Sequence, residues 1–579
     1  MADDWFNVQS AQYGAAGNRT TDDTAAFGAA LSAIAAAGGG TLYVPAGHYM
    51  LTADLVYPHG APLTIVGDGP GASSLCMNSA AASFSALSVS NAARFSLRDI
   101  SVLTDTSPPD FTSAWAGVSL SGVLWASFER VAMQTGAAPN RVNTGVVLAD
   151  CTYVDIDNCD IRCYVNPVHV TGHSQVVTVR ASTLGANPGS GLATAAGVLV
   201  DSAVQTVHLN GVVINGGDRG VLWTGGKGAN PAFAFLSDVE VNNPAICGLD
   251  FETGAQVWAS QVWVSVLKPA GVEHGWIFGP AFQGDAYLSQ CTIQGFSGHS
   301  LQIEGGSGYV LGQCTFGQLG TTPKAAADSY DEIHIGAAAG NVSIGNCHFN
   351  VDPYMTTSTR TPPRSAVYAE AGAGRVILSG SQGAGHAAYG TAAVIDLTGN
   401  MVSTGNIGLG MGEAQTAVSG GPVTSGGAFA DLTPAFTIPP YDAVAATVYR
   451  LTAWGHGTQA AGVTAGLTVQ AALNGNSLGP LAVAAAPPAP AAPAAGAGFA
   501  WKYEAYLTVT AAGAAGAINV TDFFTLGGAV VSHSGNGQAV NTTAANTLAL
   551  QAAWSATDGG PTITCDGCAL ERLRGAPAS

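Results

Sequence analysis

The sequence predicts an all-β protein: a right-handed, single-stranded parallel β-helix with an N-terminal capping helix and a C-terminal antiparallel β-sandwich. Three observations carry that expectation. A six-residue frame (apolar, two turn-like residues, small or apolar, any, apolar) recurs through the middle of the chain. Its third place is repeatedly filled by residues that tolerate left-handed backbone angles. From residue 428 onward the pattern changes to longer alternating strands.

The first element is the cap, residues 1–60. Thr20 and Thr21 before Asp22 and Asp23 supply hydroxyls and carboxylates of the kind that cap a helix N-terminus. Ala26, Phe27, Ala30, Leu31 and Ile34 follow at helical spacing, and Gly38, Gly39 and Gly40 stop the helix. Residues 41–44 and 48–51 read as strands around a Pro45-Ala46-Gly47 turn.

The second is the solenoid, residues 61–411. Copies of the frame occupy 97–102, 128–133, 156–161, 179–184, 209–214, 236–241, 259–264, 288–293, 311–316 and 344–349, with weaker echoes at Leu378 and Ser403. Its fourth place advances from residue 100 to residue 406 in eleven steps, about 28 residues per coil. Asp99, Asn158, Gly211, Asp238, Asn346, Gly380 and Gly405 hold the third place, so each predicts a sharp bend between two short strands. The apolar places point inward and stack coil on coil, since no coil can bury a core alone. Cys159, Cys291, Cys314 and Cys347 share one inward place and read as a ladder of small buried thiols rather than as disulfides.

Residues 412–427 form a Gly-rich connector, and 428–579 predict the β-sandwich, interrupted by an Ala/Pro-rich loop at 484–498. Cys565 and Cys568 make a single C-x-x-C, short of the second pair that a zinc site needs and suited to local packing or a disulfide.

Composition limits function. The net charge is −19, from 18 basic and 37 acidic residues, without a basic run, which excludes a phosphate-backbone partner. No apolar run approaches the ~18 residues of a spanning helix, and the first residues carry no basic-then-apolar export signal, so neither membrane insertion nor a signal peptide is expected. No nucleotide or organic-cofactor motif is present, and no metal site is expected.

Tyr13-Gly14-Ala15, the Asp22-Asp23-Thr24 helix start and the run GGTLYVPAGHY at 39–49 resemble the N-terminal cap of the pectate-lyase-like superfamily, which includes many phage tailspikes. The C-terminal region is similar, less specifically, to domains that follow β-helices in phage tail proteins. The resemblance implies a tailspike-like protein of a phage or phage-like particle, made in the cytoplasm and acting at a cell surface. It also implies a homotrimer, with tail or baseplate proteins as further partners, that binds and depolymerises a bacterial surface polysaccharide.

Chemistry is sought on the strand that precedes each frame. Alternation along such strands predicts two outward rows. One runs His169, Leu199, Leu222, Asp250, Ile277, Gln302, His334, Tyr368; the other runs Thr171, Asp201, Thr224, Glu252, Gly279, Glu304, then Glu370. Rungs ~4.8 Å apart place Glu252 and Glu304 roughly 9.6 Å apart at the backbone, close to the ~6.5–9.5 Å between carboxylates of inverting glycosidases. Asp250, Glu252 and Glu304 are therefore the expected catalytic carboxylates of a hydrolase. Asp201, Gln302, His334 and Lys268 are expected to bind substrate, with Trp258 and Trp263, and Tyr153 and Tyr164, as sugar-stacking platforms. Two alternatives stay open: a polysaccharide lyase or epimerase acting on uronates through loop residues such as Arg219, Lys268 or Arg364, with Ca²⁺, and a purely adhesive or structural tail protein.

Overall fold

The computed structural model describes residues 5–106, 114–133, 143–187, 192–225, 232–266, 272–318, 329–351, 363–383 and 393–398. Between 401 and 575 it describes all but 405, 408, 410–414, 418–421, 425–426, 439–442, 444, 446, 459–465, 484–497, 527–528 and 556–560. Lys268, Gly405 and residues 484–497 of the Ala/Pro-rich loop thus lie outside the described residues. The chain divides into two compact units: Met1–Ala326 with Tyr330–Val342 and Asn350–Thr361, and Ala327–Ser329 with Ser343–Phe349 and Pro362–Ser579.

The helix spans Thr24–Ala36 and buries Phe27, Ala30, Leu31 and Ile34. Its start differs from the expectation. Asn18–Asp22 is a strand, and Asp23 is the N-cap without a side-chain capping bond. The Asp23 carboxylate instead accepts the Ala16 and Gly17 amides, at 2.6 and 3.1 Å, tying the preceding turn to the helix. Asp22 takes the local role, accepting the Thr24 amide at 3.0 Å. The helix ends at Gly38 and Gly39, with φ of 81° and 123°. Strands Gly40–Val44 and Gly47–Leu51 follow as the sequence predicts.

In the first unit each coil lends one strand to one parallel sheet and a bent pair of strands to a second. Pairing of the first kind carries Leu55 through Leu87, Val118, Val146, Val168, Val198, Val221, Leu249, Trp276 and Leu301 to Ile333. That is ten steps at about 28 residues each. The bends of the paired strands are left-handed: φ is 56° at Asp99, 52° at Asn158, 62° at Gly211 and 54° at Asp238. Other coils put Arg130, Ala181, Gln261, Gln290 and Gln313 in the same conformation, φ 47–57°, although a Cβ disfavours it.

The second unit continues the bends at Asn346 and Gly380, φ 53° and 60°, and pairs Val367–Ala369 with Val394–Asp396. It also holds the antiparallel sandwich. One sheet orders Thr562–Gly575, Thr447–Thr458, Gly498–Ala511, Gly516–Leu526 and Ala529–Val540; the other orders Asn546–Trp554, Leu467–Leu473 and Asn476–Val483. Leu451, Tyr503, Phe524, Leu550 and Trp554 lie in the core between them. Within the expected connector, Gln415–Ala417 and Val423–Thr424 pair with the last strand, so part of that segment belongs to the sandwich.

All ten cysteines are buried thiols outside any disulfide, Cys565 and Cys568 included. Cys159, Cys291, Cys314 and Cys347 are all buried and each directs Sγ to the carbonyl two residues back, at 3.3–3.5 Å. No described helix is long and apolar enough to cross a membrane.

Candidate functional site

The strand-per-coil sheet sets the outward rows by register. His169, Leu199, Leu222, Asp250, Ile277, Gln302 and His334 pair in succession, as alternation predicts. The face is not uniformly open. Leu199 and Leu222 are buried with Ala196 in a small apolar cluster apart from the main core. Burial extends to Asp250, whose side chain is 5% exposed.

Asp250 is consequently no exposed acid. Arg219 Nε donates to its Oδ2 at 2.8 Å, and Arg219 Nη1 donates to the Ala193 carbonyl at 3.1 Å. Burial pushes the Asp250 carboxyl above its usual range; Arg219 opposes this incompletely and Glu252 adds to it. The trio expected from sequence is thereby divided: Glu252 and Glu304 reach solvent and Asp250 is sealed in an ion pair.

The second row becomes a column of acid and glycine. Glu252 is exposed, and a Cβ on Gly279 would lie 3.1 Å from the Glu252 Cα. Glu304 follows, its amide bonded to the Phe278 carbonyl at 2.8 Å, and Gly336 follows Glu304 through a 2.7 Å bond to the Ile303 carbonyl. A Cβ on Gly336 would collide with the Glu304 carboxylate. Each glutamate thus has a side-chain-free rung beyond it.

Glu304 is held from one side. Gln302 Nε2 donates to its Oε1 at 2.8 Å, and His334 Nε2 stands 3.7 Å from the same oxygen. Behind His334 lies Asp331, fully buried, with Oδ2 3.1 Å from His334 Nδ1 and 3.7 Å from His299 Nδ1. The Asp331 amide donates to His299 Nδ1 at 3.0 Å. His299, Asp331 and His334 each bring one donor atom within 4.8 Å of the others, a spacing that can hold a metal ion. Sequence reasoning placed Glu304, Gln302 and His334 together but missed Asp331 and His299. The available signal was Asp331, three residues before His334, at the entrance to an outward row.

Asp201 lies four rungs before Glu304 in its column. Its Oδ2 is 2.8 Å from His169 Nε2, and Thr171 and Ser202 donate to Oδ1. Burial raises its pKa, but the bonds from His169 and Thr171 outweigh that and leave it below the ordinary carboxylate range.

The tryptophans stand elsewhere. Trp258 belongs to the bent-strand sheet, in a stack of His208, Phe235, Trp258 and Tyr287 with centroids 4.7, 5.0 and 5.7 Å apart and planes within 7–12°. Both its faces are covered by neighbouring rings, so it presents an edge rather than a platform. It walls a trough of about 460 Å³ with Phe235, Tyr287 and Val310 over Ser260. Trp263, 43% exposed, lies past the bend at Gln261, opposite Glu240 and Thr292. Tyr153 stacks on Trp125 at 4.3 Å, and Tyr164 is buried, which removes it as a platform. Neither tryptophan is on the sheet of the carboxylates.

Residues 5–276 match the model of the family described as rhamnogalacturonase A/epimerase, pectate lyase-like. No curated protein matches the chain. Among solved structures, the Dettilon tailspike protein is similar at 11% identity and TM-score 0.40, over 97% of this chain and 94% of that one. Gene product 12 of bacteriophage phi29, in its pre-mature form, is similar at 15% identity and TM-score 0.47, over 70% of this chain and 56% of that one. The A-module of a mannuronan C-5 epimerase from Azotobacter vinelandii is similar at 14% identity and TM-score 0.36, over 69% and 98%.

Proposed function

We propose that this pectate-lyase-like β-helix binds an extended bacterial surface polysaccharide and hydrolyses it between Glu252 and Glu304. One observation carries the proposal: the column Glu252, Gly279, Glu304, Gly336, in which two solvent-reaching carboxylates alternate with rungs that lack side chains. Two rungs separate the glutamate backbones by ~9.6 Å, a span that carboxylates leaning toward each other shorten into the ~6.5–9.5 Å of an inverting pair. Glu304 has Oε1 fixed by Gln302, leaving Oε2 on the Gly336 side to deliver a proton to the leaving oxygen. Glu252, in solvent, activates the water. The matched family, named for a rhamnogalacturonase and an epimerase, agrees with a glycan substrate. The protein is accordingly proposed to serve as a homotrimeric tailspike of a phage or phage-like particle, joined to tail or baseplate proteins and acting outside the cell.

A second reading has its own observation. His334, oriented by buried Asp331, is a base suited to taking the proton α to a uronate carboxylate, the first step of β-elimination or epimerisation. Incubating the protein with host surface polysaccharide and weighing the products separates the readings. Hydrolysis adds one water per cut, elimination adds none and leaves an ultraviolet-absorbing double bond, and epimerisation and adhesion both leave chain length unchanged, with epimerisation alone altering the uronate configuration seen by proton NMR. Hydrolytic products that disappear in both Glu252→Gln and Glu304→Gln, each natively folded, are the expected result. Full cleavage by either variant would sink the assignment.

A further inference from the structure

We propose that His299, Asp331 and His334 form a binding site for a divalent transition ion of the zinc type, with its fourth position open. This inference is independent of the polysaccharide reading. Ligands at ~2.0–2.1 Å around a tetrahedral ion stand about 3.3 Å from one another. Asp331 Oδ2 is 3.1 Å from His334 Nδ1 and 3.7 Å from His299 Nδ1, so two edges of the ligand triangle bracket that value.

The surroundings supply a separate argument. A metal-bound imidazole commonly turns its other nitrogen to a carboxylate, which fixes the ring and strengthens the ligand. His334 has that arrangement: Nδ1 faces Asp331 and Nε2 faces Glu304 Oε1 at 3.7 Å. The Asp331 carboxylate is fully buried, where an ion's charge is felt strongly. His299 and His334 retain 7% and 9% exposure.

The donor set selects the ion. Two imidazoles and one carboxylate suit zinc, cobalt or nickel, whereas Ca²⁺ takes six to eight oxygens. Capture exchanges the hydrogen bond from the Asp331 amide to His299 Nδ1 for a coordination bond.

The test uses the full chain, dialysed against chelator and titrated with Zn²⁺ alone by calorimetry. One Zn²⁺ per chain is expected, weakened at least about 100-fold in His299→Gln and His334→Gln and about 10-fold in Glu304→Gln. His173→Ala, a change at an exposed histidine, leaves the affinity unchanged. X-ray absorption of the wild-type zinc form, which needs no variant to fold, shows two imidazole ligands and no sulfur. The proposal is overturned by absence of Zn²⁺ binding, by sulfur ligation, or by affinity that survives in the folded His299→Gln/His334→Gln double variant. None of these readouts involves a polysaccharide, so failure here leaves the hydrolase proposal standing, and the reverse also holds.

Discussion

A carboxylate sealed against a guanidinium can lose its partner in two ways, and the costs differ. Asp250→Ala leaves Arg219, 14% exposed at its side chain, with a buried charge and no carboxylate. That change costs about 3–5 kcal/mol. Asp250→Asn leaves the same uncompensated guanidinium but keeps an oxygen for Arg219 Nε, so the midpoint of urea unfolding falls less than in Asp250→Ala. Asp201 behaves oppositely. Its folded pKa lies below the ordinary value, so its stabilisation is present above about pH 3.9 and is lost as pH falls through the lower folded value. Asp201→Asn therefore flattens the acid limb of the stability profile below the ordinary carboxylate range. A third change probes the site without replacing an ionisable group. Gly336→Ala drives a Cβ into the Glu304 carboxylate, lowering cleavage at least about 10-fold while the melting temperature stays near wild type. At this scale the sequence was least legible. Outward direction could be read from alternation, but whether a loop covers an outward residue could not. Leu199 and Leu222 in the outward row were the clue that part of the face is closed over, and Asp250 is closed over with them.

At the level of the element, the bends are the most legible feature and also the most strained. A coil must repeat its turn to keep register, so Asp99, Asn158 and Asp238 announce themselves by residue type. Arg130, Ala181 and the Gln261, Gln290 and Gln313 bends do not, because stacking on the neighbouring coils imposes the conformation whatever the side chain. Each such residue bears up to ~1–2 kcal/mol of left-handed penalty. Ala181 is exposed, so Ala181→Asn relieves strain without disturbing the core and raises stability by about 0.5–1 kcal/mol, measured by urea unfolding. The aromatic stack escaped sequence reading for a related reason. His208, Phe235, Trp258 and Tyr287 are irregularly spaced in the chain because the connecting segments differ in length, and only the strand register aligns them. The cap was legible as a helix followed by two strands, but not in its start, because Asp23 turns to the amides of a preceding turn that helix propensity does not describe.

Across the molecule, the cysteines report which core they belong to. Burial pushes the thiols of Cys151 and Cys159 up to about 11 and those of Cys76 and Cys565 up to about 12. The thiolate is the reactive species, so at neutral pH these groups are both inaccessible and protonated. A disulfide-exchange reagent is accordingly expected to find no thiol in the native protein and all ten after full unfolding. Intermediate denaturant is more informative. Cys565 and Cys568 sit in a core made of sandwich residues, with Leu451, Tyr503 and Trp554. Cys291 and Cys314 sit in the coils, where each rung is held by its neighbours along the solenoid. Two cores with different kinds of cooperativity need not melt together. Pulsed alkylation followed by peptide mass analysis is expected to mark Cys565 and Cys568 over one range of denaturant and Cys291 with Cys314 over another. A coil thiol that reacts in the native protein would mean that the inward places do not pile up coil upon coil. The spacing that brings Glu252 and Glu304 within reach of one sugar would then be lost as well.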